Sequence, residues 1–251
     1  MTEEWLNRRD HDDGVVELQL GRPPVNALSP EFLMDFASQI EELGHDTSIR
    51  SIILSSPFKV FSAGLDLKQA KDFDTSQQQA IVRGLNEGFL ALYACPKPTV
   101  AAVNGAAIAG GLFFVLASDM RVAASKASFG LAEVRVGVDF PIGPLEIARA
   151  TLDSNTCRRL MLTGQPIGAA AARNAQIIDI VTEDVDEVLP RAIKEARVLA
   201  DLPAEAFASV KRQLRAETVS RIKTAIAAGG TSPDKGWFTD ETRAAMQKMI
   251  G

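Results

Sequence analysis

Small residues stand at two separated places in the sequence, where they would let a ligand approach the main chain closely. The stretch VFSAGLDLKQ contains Ala63 and Gly64, and the stretch AAVNGAAIAGGLFF contains Gly110 and Gly111 at a predicted helix start. The first N–H groups of a helix have no acceptor within the helix and carry part of its positive dipole. Two such donors directed at one oxygen would form an oxyanion hole. Two tight turns would also need small residues, so this pattern alone leaves both interpretations open.

Three common enzyme signatures do not occur in the chain. In GAAIAGGL the glycines have Walker A spacing, but Gly111 and Leu112 stand where that motif needs Lys and Ser or Thr. The dinucleotide-binding pattern G-x-G-x-x-G and the nucleophile pattern G-x-S-x-G are also missing. These absences argue against a P-loop nucleotidase, a Rossmann dehydrogenase and an α/β-hydrolase.

Histidine is scarce, which limits the acid–base chemistry that the chain can perform. His11 and His45 are the 2 histidines, and both are predicted at the surface because they lie in polar, acidic segments. A Ser-His-Asp triad and an HExxH zinc site would each need a better placed histidine. No metal site is predicted, and proton transfer is expected to fall to a carboxylate.

The composition is ordinary for a soluble globular protein, and the length fits one large domain or one domain with a small appendage. The 251 residues include 27 basic and 32 acidic side chains, and no basic block predicts nucleic-acid binding. The longest apolar run, AAIAGGLFFVLAS, is about 13 residues and too short to span a membrane. The acidic N-terminus does not resemble a signal peptide, and Cys95 and Cys157 are predicted to be free thiols, so a cytoplasmic location is expected.

Strands and helices alternate over about the first 180 residues, which predicts an α/β fold. GVVELQL and IRSIILSS are predicted strands, and Ser29 followed by Pro30 predicts the start of a helix between them. This order favours parallel pairing of the two strands. Further elements are predicted as a helix over 75–94, a strand over 98–105, an all-round apolar helix over 110–118, a strand over 119–125 and an irregular segment over 127–144. The strand QIIDIVT and helices from residue 184 follow, with a linker at 228–237.

Three motifs resemble those of the crotonase, or enoyl-CoA hydratase/isomerase, superfamily. FSAGLDL resembles its A-G-x-D-L element, and AAVNGAAIAGGLFFVLASDMRVAAS resembles its A-x-x-N-G-x-x-x-G-G…D-x-R-x-A element. ASFGLAEVRVGV resembles its F-G-x-x-E-x-x-x-G element. The three motifs occur in the family's order and spacing, and the resemblance extends over residues 10–250.

The resemblance implies a fold, a substrate and an assembly. We expect a crotonase-like spiral of ββα turns with the active site in residues 1–190, and a helical C-terminal region in residues 191–251 for trimerisation and pocket cover. The implied substrate is an acyl-CoA thioester of fatty-acid β-oxidation. Coenzyme A then belongs to the substrate, and no separate cofactor is expected. The implied assembly is a homotrimer or a dimer of trimers.

The resemblance also assigns site residues. The thioester carbonyl is expected between the N–H groups of Ala63 and Gly110. This role would explain why small residues occur in both stretches. Asp66 is expected to accept backbone N–H bonds and shape its loop. The predicted substrate-binding residues are Ala63, Gly64, Leu65, Asp66, Leu67, Gly110 and Phe113. Lys59, Lys68 and Lys71 fit either CoA phosphates or a solvated face.

One departure from the family pattern bears on the reaction. Family hydratases carry two glutamates, but here Phe113 occupies the first position, three residues after Gly110, and Glu133 alone is kept. Hydration divides its work between two carboxylates, whereas a double-bond shift from C3 to C2 needs one base. The motifs SAGLDL and PVNALSPEFL also resemble those of Δ3,Δ2-enoyl-CoA isomerases. An isomerase using Glu133 is therefore predicted.

Two alternatives remain at the level of sequence. The chain fits a hydratase or another lyase or hydrolase of the family, with Asp139 as a second acid. It also fits a catalytically weak subunit that binds acyl-CoA.

Overall fold

A mixed α/β architecture with eleven strands and ten α-helices is seen in the computed structural model, which describes residues 5–229 and 236–250. The strands are β1 (Leu6–Asp10), β2 (Val15–Leu20), β3 (Ala27–Leu28), β4 (Ser51–Ser55), β5 (Gly64–Leu65), β6 (Thr99–Val103), β7 (Ala107–Ile108), β8 (Met120–Ala124), β9 (Ser128–Gly130), β10 (Ile167–Gly168) and β11 (Ile180–Thr182). The helices are α1 (Pro30–His45), α2 (Leu67–Ala70), α3 (Thr75–Ala94), α4 (Gly110–Leu116), α5 (Ile142–Thr151), α6 (Ser154–Thr163), α7 (Ala169–Asn174), α8 (Val188–Ala200), α9 (Ala204–Ala227) and α10 (Asp240–Ile250). Short 3-10 turns cover Asp12–Gly14, Glu133–Val136 and Val185–Glu187.

The main sheet has six strands in the order β1-β2-β4-β6-β8-β11. Its pairs are parallel from β2 to β11, and the predicted parallel pairing of β2 with β4 is confirmed. Strand β1 pairs antiparallel at one edge and was not predicted. Its sequence, LNRRD, is polar and its residues beyond Leu6 are exposed, so no strand-like hydrophobic pattern marks it.

The chain repeats one unit along this sheet: a main-sheet strand, a very short strand, then a helix. Strands β4, β6 and β8 are followed by β5, β7 and β9 respectively, and the short strands pair in two small sheets, β3-β5 and β10-β9-β7. This is the expected spiral of ββα turns. Because the short strands have only two or three residues, they carry no readable period. The segment 127–144, predicted as irregular, contains β9, a 3-10 turn and the start of α5.

Hydrophobic packing on both faces of the main sheet forms the core. Helix α4 is buried at every residue, as its uniformly apolar sequence predicts. The other face of the sheet is covered by α8, which lays Val188, Ala192, Ala196 and Ala200 against a patch that includes Val15 and Ile53. Residues 190 and 191, the predicted boundary between core and C-terminal region, both lie inside α8.

Local capping explains where α1 and α3 begin. The Ser29 hydroxyl accepts the N–H of Phe32 at 3.3 Å, with Pro30 at the first helical position. Asp74 and Gln77 form a capping box at the start of α3, whose bounds match the predicted 75–94.

A buried ionic cluster holds the long helix α9 against the sheet. Asp119 accepts Lys211 Nζ at 2.6 Å and Arg215 Nη2 at 2.7 Å, and all three side chains are largely buried. Arg215 also donates to the carbonyl of Tyr93 at 2.7 Å. Because each charge is paired and hydrogen-bonded, their burial is tolerated, but removing one partner would leave an uncompensated charge.

The chain ends in α10, which packs on the Glu133–Val136 turn and on α2. Thr242 Oγ1 donates to the carbonyl of Gly137 at 2.6 Å, and Arg243 donates to the carbonyl of Lys71 at 2.9 Å. Most of the linker predicted at 228–237 lies outside the described residues. Within the described ranges, no helix combines the length and apolar content needed to cross a membrane.

Candidate active site

The two stretches of small residues meet in space. Gly64 has φ +80°, and a Cβ added there would lie 2.7 Å from the carbonyl oxygen of Ile108 and 3.2 Å from the N of Gly110. Only glycine therefore fits, because both the conformation and the contact exclude a side chain. The backbone after β4 and the backbone at the start of α4 are thus in direct contact, as the oxyanion-hole hypothesis requires.

The prediction that Ala63 supplies an oxyanion donor is wrong. Its N–H donates to the carbonyl of Val25 at 3.0 Å, so this donor is already used within the fold. The bond follows from the parallel pairing of β3 with β5, which sequence reasoning did not predict because each strand has two residues.

Leu65 is a better candidate for the donor that was assigned to Ala63. The N–H of Asp66 donates to the carbonyl of Leu28 across the β3-β5 pair at 3.0 Å. Because successive residues of a strand direct their N–H groups to opposite sides, the N–H of Leu65 points away from β3. Leu65 directly follows Gly64, which contacts the start of α4, so its N–H is the better candidate for a donor.

Gly110 is the first residue of α4, so its N–H has no acceptor within the helix. The preceding Ala109 has φ 50° and ψ −129°, a strained conformation for a residue with a side chain. Its N–H donates to the carbonyl of Gly130 at 2.8 Å, and the N–H of Ile108 donates to the carbonyl of Ser62 at 3.0 Å. These bonds hold the backbone directly before Gly110.

Glu133 is a buried carboxyl in the 3-10 turn that follows β9. The residue is 7% exposed, and its Oε2 has no hydrogen-bond partner among the described residues. Loss of solvation raises the pKa of Glu133 from 4.5 to about 8. A carboxyl that titrates near neutral pH suits proton transfer in both directions. The carbonyl of Gly130, which accepts the Ala109 N–H, lies three residues before Glu133, so the end of β9 connects the start of α4 to the turn that carries the carboxyl.

Phe113 stands one helical turn after Gly110 in an apolar environment. It is 1% exposed, and its ring packs 5.5 Å from Phe89 and 6.4 Å from Phe140 between centroids. Phe114 instead packs 4.9 Å from Phe36, deeper in the core. No carboxylate therefore occupies the position at which family hydratases carry their first glutamate.

Asp66 shapes the loop after β5, as was expected. Its carboxylate caps α2 by accepting the N–H of Gln69 at 3.3 Å, and it pairs with Arg22 Nη1 at 3.0 Å. Arg22 also donates to the carbonyl of Ala27 at 2.7 Å and was missed by sequence reasoning. The partner lies 44 residues away in sequence, and only the fold brings the two together.

Most of the side chains predicted to border CoA lie in or next to α2. Leu65 and Leu67 are half-buried, and Lys68 is exposed and lines a surface cavity of about 620 Å³. Lys59 is exposed, and Lys71 is half-buried under the Arg243 contact. Nothing in these contacts assigns one of the lysines to a phosphate.

Asp139 is exposed, and its Oδ1 accepts the indole N–H of Trp237 at 2.7 Å. The role of a second acid therefore stays a prediction. The bond to Trp237 could not be read from the sequence, since the two residues are 98 positions apart.

His11 is only partly exposed, which differs from its predicted surface position. Its Nε2 lies 3.1 Å from Oε2 of the buried Glu17 on β2, and Ser55 donates to the other oxygen of Glu17 at 2.5 Å. His45 is exposed at the end of α1, as predicted.

Comparison with known proteins agrees with this architecture and these motifs. The family model described as enoyl-CoA hydratase/isomerase matches residues 10–248. A probable mitochondrial enoyl-CoA hydratase 2 of Arabidopsis thaliana is 31% identical over 78% of this chain and 70% of that protein. A probable enoyl-CoA hydratase of Bacillus subtilis is 28% identical over 83% of this chain and 81% of that protein.

Solved structures of the same family superpose over nearly the whole chain. Human mitochondrial Δ3,Δ2-enoyl-CoA isomerase matches with a TM-score of 0.90 and 27% identity, covering 98% of this chain and 97% of that one. The probable enoyl-CoA hydratase EchA3 of Mycobacterium tuberculosis matches with a TM-score of 0.83 and 27% identity, covering 90% of this chain and 96% of that one. The ββα spiral, the paired backbone stretches and the family match over most of the sequence lead to one conclusion: the chain belongs to the enoyl-CoA hydratase/isomerase family, within the crotonase superfamily.

Proposed function

We propose that this protein shifts a double bond from C3 to C2 of an enoyl-CoA thioester. The observation that carries the proposal is the buried, unpartnered carboxyl of Glu133, with the apolar Phe113 where a hydratase would hold a second glutamate. One carboxyl suffices for the double-bond shift, because the same group removes and returns the proton. Hydration needs a water molecule to be oriented and deprotonated as well.

The reaction proceeds in two proton transfers. The thioester oxygen accepts the N–H groups of Gly110 and Leu65, and the Glu133 carboxylate removes a proton from C2. The electron pair delocalises over C2, C3 and C4, with negative charge on the thioester oxygen. Protonated Glu133 then delivers the proton to C4, which leaves the double bond between C2 and C3. Each backbone donor contributes roughly 2.7–4 kcal/mol to transition-state stabilisation on the scale known for such sites.

The surroundings of Glu133 support this cycle. Its raised pKa of about 8 makes the carboxylate a stronger base than an ordinary glutamate, and the acid remains able to return the proton. The apolar wall formed by Phe113, Phe89 and Phe140 limits the access of water to the dienolate. The proposed reaction requires no cofactor, since CoA enters as part of the substrate.

A hydratase is the second candidate, and the names of the curated relatives favour it. In that case Asp139 would have to supply the second acid, although its carboxylate is exposed and bonded to Trp237. A subunit that binds acyl-CoA without turnover is a further alternative.

One experiment separates these candidates. The protein is incubated with 3-enoyl-, 2-enoyl- and 3-hydroxyacyl-CoA, and products are followed by chromatography with mass detection and by the ultraviolet absorbance of the conjugated thioester. Conversion of 3-enoyl- to 2-enoyl-CoA without added mass is the expected result. Rapid gain of one water mass would replace the isomerase by a hydratase. Binding without any product would leave only the acyl-CoA-binding subunit.

We also propose that the chain assembles as a homotrimer or a dimer of trimers in the cytoplasm. Support for self-association comes from α9, where Val210 and Leu214 lie one turn apart and are 63% and 82% exposed. Such exposure of large apolar side chains on one helix face is typical of an interface. The contacts of α10 with Gly137 and Lys71 support the proposed role of the C-terminal region as a cover over the site.

A further inference from the structure

Arg22 is a buried arginine next to the proposed oxyanion hole. Its side chain is 8% exposed. One guanidinium nitrogen, Nη1, donates both to the carbonyl of Ala27 at 2.7 Å and to Asp66 Oδ2 at 3.0 Å. Ala27 belongs to β3, and Asp66 directly follows β5. Arg22 therefore ties β3 to the residue that comes immediately after Leu65, the candidate donor.

The pairing of β3 with β5 is short, so each tie across it matters. Each strand has two residues. The backbone bonds across the pair include those from the N–H of Ala63 to the carbonyl of Val25 and from the N–H of Asp66 to the carbonyl of Leu28, both at 3.0 Å. A strand pair of this length has little stability of its own. The side-chain bridge from Arg22 adds an ionic tie to these backbone bonds.

Arg22 is itself held by contacts on two sides. Its guanidinium carbon lies 4.9 Å from the centroid of the Trp5 ring, and its backbone N–H donates to Asn26 Oδ1 at 2.9 Å. Asn26 also donates its Nδ2 to the carbonyl of Phe61 at 2.9 Å, shortly before β5. A side chain that is fixed in this way can hold its partner in one geometry. Arg22 can therefore impose a defined position on the Asp66 carboxylate.

The Asp66 side chain is 19% exposed, so its charge depends on this partner. Without the guanidinium we expect the carboxylate to turn toward water, because a largely buried, unpaired charge is costly. This rotation would weaken the cap that Asp66 provides for α2 and would displace the backbone beside Leu65. A displacement of about 1 Å in a catalytic group can reduce the rate about 10²-fold.

We infer that Arg22 is a positioning residue for the oxyanion hole. Acting through Asp66, it sets the distance and direction of the Leu65 N–H relative to the thioester oxygen. The inference rests on the proposed double-bond shift and adds to it a residue outside the reacting atoms. Because negative charge on that oxygen is greatest in the transition state, loss of Arg22 should lower kcat and leave KM nearly unchanged.

The test compares variants of the full chain. Arg22→Met removes the charge and both bonds but keeps an unbranched stem, and Arg22→Lys keeps a cation. Asp66→Asn removes the charge of the other partner. Arg50→Met is the matched control, because Arg50 likewise donates to backbone carbonyls, those of Ala200 and Leu202 at the end of α8.

Turnover of 3-enoyl-CoA gives the first readout. Arg22→Met is expected to lower kcat by about 10- to 100-fold and to change KM by less than about threefold. Arg22→Lys should recover part of the lost kcat. Arg50→Met should lower the free energy of unfolding without a comparable loss of kcat. An unchanged kcat in folded Arg22→Met, or an effect confined to KM, would overturn the inference.

A double-mutant cycle checks whether Arg22 acts through Asp66. In that case Arg22→Met/Asp66→Asn should turn over no more slowly than the slower of the two single variants. Effects on kcat that multiply would show two independent roles and would overturn the proposed route through Asp66.

Infrared spectroscopy of a bound, unreactive ligand gives a readout that needs no turnover. The C=O stretch of carbonyl-labelled octanoyl-CoA is expected to shift to lower frequency in the wild type and in Arg50→Met. The shift should be smaller in Arg22→Met and in Asp66→Asn, and the second variant decides the question should the first fail to fold. A full shift in Asp66→Asn would overturn the inference and leave the oxyanion hole in place.

The infrared readout also separates this inference from the proposed reaction. A wild type that shifts the carbonyl but does not isomerise 3-enoyl-CoA would reject the double-bond shift, and the comparison of variants would still decide the role of Arg22. An unshifted carbonyl in the wild type would reject the oxyanion hole and the role of Arg22 with it.

Discussion

Glu133 combines burial with a free carboxylate oxygen, and both properties are needed for its proposed role. Glu133→Gln keeps the shape of the side chain but cannot take a proton. We expect isomerase kcat to fall by about 10²–10⁴-fold, with octanoyl-CoA binding retained in calorimetry. Glu205→Gln serves as the control for removal of one surface charge. Turnover within a factor of a few of the wild type would remove Glu133 from the mechanism.

The pH dependence of turnover follows from the same carboxyl. Since the pKa of Glu133 is raised to about 8, its base form is a minor species at neutral pH and becomes dominant only above about 8. We therefore expect kcat/KM for the isomerisation to rise with pH and to level off above about 8. A profile that is already flat between pH 5 and about 8 would show that another group, or an unperturbed glutamate, acts as the base.

The free energy of unfolding should depend on pH in the opposite direction from turnover. Between 4.5 and about 8 the folded state holds a proton on Glu133 that the unfolded state has lost, so the free energy of unfolding decreases as pH rises across this window. Below 4.5 both states are protonated and the contribution is fully present. Urea unfolding at a series of pH values measures the slope, and Glu133→Gln should flatten it. An unchanged slope in that variant would contradict the raised pKa.

Phe113 tests why hydration should be slow. We expect the wild type to hydrate 2-enoyl-CoA poorly, and Phe113→Glu to gain measurable hydration, followed as incorporation of ¹⁸O-labelled water. The new carboxyl would be buried among aromatic rings, so the free energy of unfolding should also fall by roughly 2 kcal/mol or more. Phe113→Leu is the control that opens the packing without adding a charge. Fast hydration by the wild type would show that a different second acid is present.

At the scale of elements, the start of α4 is the sharpest test of the oxyanion hole. A Cβ at Gly110 would lie 2.6 Å from Cδ1 of Leu28, so any substitution there needs room. We therefore compare Leu28→Ala/Gly110→Ala with Leu28→Ala/Gly110→Pro, since both add a Cβ and only proline removes the N–H. The proline variant should turn over about 10²–10³-fold more slowly than the alanine variant.

A spectroscopic measurement on the bound ligand tests the same donors without turnover, and its wild-type result needs no variant. Carbonyl-labelled octanoyl-CoA bound to the wild type should show an infrared C=O stretch at lower frequency than the free ligand, because two donors polarise the bond. The shift should shrink in the proline variant and persist in the alanine variant. An unshifted carbonyl in the wild type would mean that the thioester oxygen does not lie between these donors.

Helices and strands that are long enough to show a hydrophobic pattern were predictable from the sequence, whereas two-residue strands were not. The bounds of α3 followed from its amphipathic pattern, and the buried character of α4 followed from its uniformly apolar composition. The pairing of β3 with β5 had no such signal. For this reason the oxyanion donor was assigned to Ala63 and not to Leu65. The positive φ of Ala109 was also not predictable, because its residue type does not favour it and it accompanies backbone bonds from Ile108 to Ser62 and from Ala109 to Gly130.

At the scale of the whole molecule, motif order identified the fold, but contacts between distant segments came only from the structure. The pairs Arg22–Asp66, Asp119–Lys211 and Asp139–Trp237 join parts of the chain 44, 92 and 98 residues apart. A single sequence contains no pattern for such pairs, since each of these residues has other possible partners or would also suit the surface. The motif was enough to predict Glu133 as the catalytic candidate, but the burial of its carboxyl and its raised pKa could not be predicted.

Self-association is the prediction that belongs to this scale. Size-exclusion chromatography with light scattering is expected to give three or six times the 27.0 kDa mass of one chain. Leu214→Glu should shift the protein toward the monomer, because it places a charge on the exposed apolar face of α9. Gln213→Glu adds the same charge beside that face and should leave the mass unchanged. A monomeric wild type would contradict the proposed trimer.

The bond between Ala109 and Gly130 has a consequence for how such a protein can diversify. It ties Ala109, which directly precedes the proposed Gly110 donor, to the strand that leads into Glu133, so a change in one segment is expected to displace the other. Transfer of the proposed reaction centre between related chains would therefore require both segments to be exchanged together.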